Sequence, residues 1–266
     1  MASGGFLANV RDLPEYKKPP VVEVAIGVHF KPLNKFTTAY FGSFWSLHKK
    51  AYPKVEDQPP ILELVQPELV TLPPLRRVWF QEPDGGYLIQ LQSDLFILNW
   101  RKVSEDSAYV RFAEIKKRFY EAWASFKDFV KAENLGAIET TRYEVTYVNQ
   151  IAEAPNSFPA ALARYSHLIT LRESNSDYFL PEPSAVSADI QFKIPDGRGT
   201  LRVVFKHGTR PNDGGDVMQV DLAATMGAKP DESDLDEWLE VAHTWIVQGF
   251  TDLTSREAQA RWERIR

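Results

Sequence analysis

Arg77, Trp79, Gln81, Gln90, Gln92, Asn99 and Arg101 recur at two-residue steps in the runs RVWFQ, YLIQLQ and LFILNWR. An indole flanked by guanidiniums is contact chemistry, because aromatic and arginine side chains dominate binding hot spots and also suit base stacking. Glutamine and asparagine amides offer a donor and an acceptor each. These seven residues are the candidate partner-binding set. The dull alternative is a solvated sheet face, but Trp79, Leu95 and Ile97 share it, and such apolar surface normally meets something.

Two further groups carry possible chemistry. His29 has the same outward parity as Glu23, and Glu144 has the matching place in a second strand-like run. A histidine with two carboxylates can hold a metal or act as an acid–base pair, although a lone histidine near a strand end is more often a surface residue. The segment KHGTRPNDGGD (206–216) sets His207, Arg210, Asp213 and Asp216 among glycines, as a phosphate cradle or a long hairpin turn. Neither G-x-x-x-x-G-K-[ST] nor G-x-G-x-x-G occurs, and G-x-S-x-G and H-E-x-x-H are absent. The chain has no cysteine, which excludes thiolate metal sites, disulfides and a cysteine nucleophile. No catalytic residue, metal site or cofactor is assigned.

Hairpin arithmetic fixes which face carries the candidate set. With Ser93-Asp94 as a two-residue turn, Gln92 opposes Leu95, Leu91 opposes Phe96 and Gln90 opposes Ile97. With Pro83-Asp84-Gly85-Gly86 as the preceding turn, Val78, Phe80, Tyr87, Ile89, Leu91, Phe96, Leu98 and Trp100 form one uncharged face. The seven polar and aromatic candidates fall on the other, with Leu88, Leu95 and Ile97. A one-residue slip would exchange the faces, so agreement of three runs on one register is informative.

The pattern recurs. Around Pro195-Asp196-Gly197-Arg198-Gly199, residues Ile190, Phe192, Ile194, Leu201, Val203 and Phe205 share a face, and VMQVDLA supplies a third strand. Each meander follows a strand, VVEVAIGVHF (21–30) or ETTRYEVTYVNQ (139–150), and precedes a helical pattern. The first helical pattern carries Phe112, Ile115, Phe119, Trp123, Phe126 and Val130; the second carries Leu235, Trp238, Ala242, Trp245, Gly249 and Leu253. An additional helix is expected between Phe36 and Tyr52, begun at Thr37 or Thr38. Phe119, Trp123, Phe205 and Trp245 are expected in the core.

The expected organisation is an N-terminal segment (1–20), one α+β repeat (21–135) with a proline-rich irregular connection (53–77), a second repeat (136–255) and a basic C-terminal tail (256–266). A second long connection runs from Pro155 to Pro183. The fold class is α+β: a duplicated strand–helix–three-strand meander–helix unit, with an antiparallel sheet and helices on one face. It resembles the TATA-binding-protein saddle, and a helix-grip domain is the alternative.

The pattern R-V-W-F-x-x-x-D-G-x-x-L-I-Q-L-Q-x-D-x-F-x-x-N-W-R-K spans Arg77 to Lys102 and follows P-P-V-V-E-V at Pro19 to Val24. On these residues the chain resembles an uncharacterised, sporadically distributed prokaryotic protein family, over most of its length. The resemblance implies no catalytic residue. Patchy distribution of that kind resembles genes of mobile defence or toxin–antitoxin modules.

Composition sets the outer limits. The chain has 266 residues, 44% hydrophobic and 25% charged, which is ordinary globular material. A net charge of -5 disfavours holding nucleic acid by phosphate neutralisation. The segment MASGGFLANVRDLPEYKK lacks a signal-peptide pattern and no window has the apolar length to cross a bilayer, so a cytoplasmic location without membrane contact is the expectation. The function expected is non-catalytic recognition of a protein partner, or of a second copy, through the open sheet face. Nucleic-acid binding and an enzyme of unknown reaction are the alternatives.

Overall fold

A computed structural model describes residues 13–61, 75–152, 187–209, 216–227 and 234–266. Among them nine strands form one antiparallel sheet: β1 (Val21–Phe30), β2 (Lys54–Gln58), β3 (Arg77–Gln81), β4 (Tyr87–Gln92), β5 (Leu95–Arg101), β6 (Thr140–Ala152), β7 (Ser187–Ile194), β8 (Gly199–Thr209) and β9 (Asp216–Met226). Their spatial order is β2-β3-β4-β5-β1-β6-β9-β8-β7. Helices α1 (Thr38–His48), α2 (Phe112–Ala132), α3 (Leu235–Leu253) and α4 (Arg256–Arg261) complete the described elements.

The hairpin registers are those the alternation requires. Gln92 opposes Leu95 and Gln90 opposes Ile97 across β4 and β5. Trp79 opposes Gln90 and Phe80 opposes Ile89 across β3 and β4. In the other half Ile190 faces Val203 and Phe192 faces Leu201. β1 and β6 are neighbours at the centre, with β5, β4, β3 and β2 following outward on one side and β9, β8 and β7 on the other. At the turn after Pro195, Gly199 has φ +146, and a Cβ there would lie 2.0 Å from the Thr225 carbonyl oxygen, so no side chain fits.

All three longer helices cover the apolar face, as the need to bury one face of an antiparallel sheet dictates. Phe44 of α1 packs on Phe80 and Phe126. Phe126 of α2 stacks on Phe96 at 5.2 Å, and Phe119 and Trp123 are buried with it. On α3, Gly249 allows close approach to β8, because a Cβ there would sit 2.9 Å from Leu201 Cδ2. The two long helices also meet: Lys116 Nζ lies 3.1 Å from Asp236 Oδ1, and Tyr120 donates to the same oxygen at 3.1 Å. An open antiparallel sheet with a long helix from each half on one face is the saddle-type α+β arrangement, not a sheet gripped around a single helix.

Three expectations are corrected. Residues 54–58 of the proline-rich connection form strand β2, paired with β3 from Lys54↔Gln81 to Gln58↔Arg77. KVEDQ lacks apolar alternation because this edge strand is almost wholly exposed and is held by its backbone ladder. The 256–266 segment is not a free tail. Its α4 is capped by Ser255, Gln259 is buried, and Trp262 packs against Tyr16 and Phe250. Phe205 and Trp245 are only partly buried, whereas Phe119 and Trp123 are core. The 155–183 connection and residues 210–215 of the glycine-rich loop lie outside the described residues.

Trp123 is 3% exposed and touches Phe30, Phe96 and Phe126. Trp123→Ala is therefore expected to cost about 3–5 kcal/mol, measured by chemical denaturation. A variant of unchanged stability would show that α2 packs through another face.

Candidate functional site

The pleat carries the candidate set onto the sheet face opposite the helices. Across β3, β4 and β5 it aligns Trp79 with Gln90 and Ile97, and across β5 and β1 it aligns Arg101 with Glu23 and Asn99 with Ala25. All seven candidates thus lie on one face, and Glu23 joins them.

The polar groups form a chain of hydrogen bonds with only one possible direction. Arg77 Nη1 and Trp79 Nε1 both donate to Gln90 Oε1, at 2.6 and 2.9 Å. Gln90 Nε2 donates to Asn99 Oδ1 at 2.7 Å, and Asn99 Nδ2 donates to Glu23 Oε1. Guanidinium and indole groups only donate, and a carboxylate only accepts, so the two ends dictate how both amides are turned. Arg101 Nε closes the circuit 3.3 Å from Glu23 Oε2. The Arg101 guanidinium lies 4.6 Å from the Trp79 ring centre and that of Arg77 lies 5.5 Å away. Two guanidiniums approach the indole, and Arg101 also pairs with Glu23. Burial first, and then the like charge of Arg101, lower the pKa of Arg77.

Burial divides the set. Gln90, Gln92 and Asn99 are 5%, 3% and 2% exposed within the single chain, and Gln81 is also buried. Gln92 is tied to the start of the proline-rich connection, accepting from the Ile61 amide at 2.9 Å and donating to the Ile61 carbonyl at 3.1 Å. These amides are spent on the chain itself, which narrows the expected contact surface to the half-buried Arg77, Trp79 and Arg101. The sequence assigned glutamines to the right face but could not show their depth.

The histidine group does not assemble as expected. Glu23 belongs to the relay, whereas His29 lies at the other end of β1, with Nε2 3.9 Å from Glu144 Oε2. Arg142 Nη2 approaches His29 Nδ1 to 2.9 Å. The same Nη2 lies 3.1 Å from His29 Nε2, so the guanidinium sits against both ring nitrogens. Burial, and secondarily the Arg142 charge, push the His29 pKa down to about 3. No cluster of three His, Asp or Glu side chains suited to a metal occurs among the described residues.

The second half of this face is chemically different. Arg202 pairs with Asp189 through two contacts at 3.0 Å and one at 2.6 Å, and Lys206 reaches Asp221 at 3.0 Å. These exposed pairs are individually weak. The stacked aromatic and its surplus cation are features of the first half.

No protein-family model and no curated protein matches this chain. Among solved structures it is similar to Methanococcus jannaschii TBP, with 10% identity over 87% of this chain and 99% of that one, at a TM-score of 0.25. A score this low carries no argument. No helix among the described residues is long and apolar enough to cross a membrane.

Two outcomes test this geometry. Gln90→Ala strands Arg77, Trp79 and Asn99 without their shared partner, and is expected to cost about 1–3 kcal/mol in denaturation. A neutral result would mean that water replaces the relay. For His29, the unfolded chain binds a proton near pH 6.5 while the folded protein resists until about pH 3. Its contribution is therefore fully retained above pH 6.5 and lost as pH falls from there towards 3, at up to about 1.4 kcal/mol per unit. The melting temperature should fall from pH 7 to 4, and His29→Gln should reduce that fall.

Proposed function

We propose that this protein is a non-catalytic recognition module that holds a protein partner, or a second copy of itself, through the Arg77–Trp79–Arg101 cluster on its open sheet face. One observation carries the reading. A half-buried indole is fixed by the Gln90 relay, with the guanidiniums of Arg77 and Arg101 5.5 and 4.6 Å from its ring centre and Arg101 paired with Glu23. A side chain already held in place loses little entropy on binding, and aromatic–arginine clusters carry most of the energy in protein interfaces. The surplus cation favours a partner surface bearing carboxylates.

Nucleic acid is the second reading, because an indole under arginines also stacks bases. The net charge of -5 weighs against it. The same reading treats residues 21–135 and 136–255 as two copies of one duplicated unit, of which the first kept the contact cluster. A place in a mobile defence or toxin–antitoxin system is proposed by analogy with the sporadic prokaryotic family, as is a cytoplasmic location.

Trp79→Ala and Arg101→Ala are expected to abolish a defined complex or dissociate an oligomer, with a stability loss well below that of Trp123→Ala. Light scattering on the purified protein and melting curves on the same samples measure both. Loss of stability comparable to core damage, with assembly unchanged, would make the cluster structural. Heparin retention that disappears in both variants would favour nucleic acid.

A further inference from the structure

On the helix side of the sheet, a cavity of about 340 Å³ opens between the start of α2, the middle of α3 and residues 13–16. That volume lies in the range of small-molecule pockets. Its walls are apolar, including Val21, Phe112, Ile246, Val247 and Phe250. One side is a polar chain: Tyr109 Oη lies 3.2 Å from Tyr147 Oη, which lies 2.9 Å from His243 Nδ1. Phe112 stacks flat on the imidazole at 4.3 Å and fixes its plane. Nδ1 is engaged by Tyr147, and the His243 ring lines the cavity. Burial pushes the His243 pKa down to about 4, so the ring is neutral at pH 7.

Two guanidiniums stand at the rim. Arg111 and Arg266 share one carboxylate, Glu15, at 3.1 and 3.6 Å. The other acid in the lining, Glu240, shares Lys116 of α2 with Asp236. Arg111 is also the N-cap of the 21-residue α2, whose first turn no side chain caps. A guanidinium pair with a single carboxylate, beside the positive end of a helix, favours an incoming anion. An apolar wall beyond it favours a hydrocarbon body.

We propose that this cavity binds a small carboxylic acid with an apolar body, its carboxylate between Arg111 and Arg266 and within reach of His243, and its body against Val247 and Phe250. This site is independent of the recognition cluster on the opposite sheet face. No reaction is implied: Tyr109, Tyr147 and His243 act as hydrogen-bonding groups.

Decanoate below its micellar concentration is the probe, decanol and acetate are the controls, and thermal shift and calorimetry are the readouts. Decanoate should raise the melting temperature of the wild-type chain, and decanol and acetate should do so far less. Arg111→Gln should weaken decanoate binding about tenfold, as expected for loss of one charge-assisted contact. Glu15→Gln should instead tighten it, because both guanidiniums are freed. A damaged fold would not produce that gain. His243→Phe keeps the stack on Phe112 and should weaken binding, read as a smaller decanoate-induced rise above that variant's own unliganded melting temperature. Equal stabilisation by decanol, no stabilisation of the wild type, or weaker binding by Glu15→Gln would each overturn the proposal.

Discussion

Strand β1 is the constraint on which the rest of the molecule depends. It pairs along one edge with β5 and along the other with β6, and so joins the two halves into one sheet. A strand paired on both edges must satisfy both of its faces at once. Val24, Ile26 and Val28 are wholly buried beneath the helices, whereas Ala25 and Gly27 keep the opposite face low. Gly27 leaves room for Ile97, whose Cγ1 would lie 3.3 Å from a Cβ at that position. The pleat set here propagates through every neighbouring strand, and a shift of one residue would carry Trp79 into the core and Phe80 out of it.

The open face then differs between the halves for electrostatic reasons. In the first half the charged groups are joined through buried amides whose direction is imposed by their end groups. In the second half charge is neutralised at the surface by ion pairs such as Arg202–Asp189. A buried amide chain fixes side-chain geometry because every alternative leaves a donor or acceptor unmet. Exposed pairs exchange with water at little cost. Preorganisation therefore belongs to the first half, and this is why the functional reading rests there.

Much of this was legible in the sequence. Alternation of period two through residues 77–101 specifies the faces and registers, and steps of three and four place Phe119 and Trp123 in the core. What was not legible lacks a periodic signal. Lys54–Gln58 pairs without burying side chains, so its residue types are indifferent to being a strand. The depth of Gln90 and Asn99 depends on what covers the face, and alternation reports only its side. The aromatic–histidine cavity joins Tyr109, Tyr147 and His243, which are far apart in sequence and which core patterning treats as ordinary apolar-face residues.

A β-bulge explains why strict alternation also conceals how the two surfaces are related. Val21 and Glu23 have the same parity, yet the register shifts between them, with Val21 opposite Asn149 and Glu23 opposite Val148. An extra residue in one strand re-aims the side chains that follow it. Here it lets Val21 line the cavity under the helices while Glu23 closes the relay on the open face. The two sites therefore stand back to back across β1 and β6, separated by one layer of backbone. Both strands are paired along both edges over this region, so neither can slide to transmit a ligand's presence without breaking several backbone bonds. Coupling between the sites would need two discrete packings of that seam, and the tight fit of Gly27 against Ile97 favours one. The two surfaces are accordingly best understood as energetically separate.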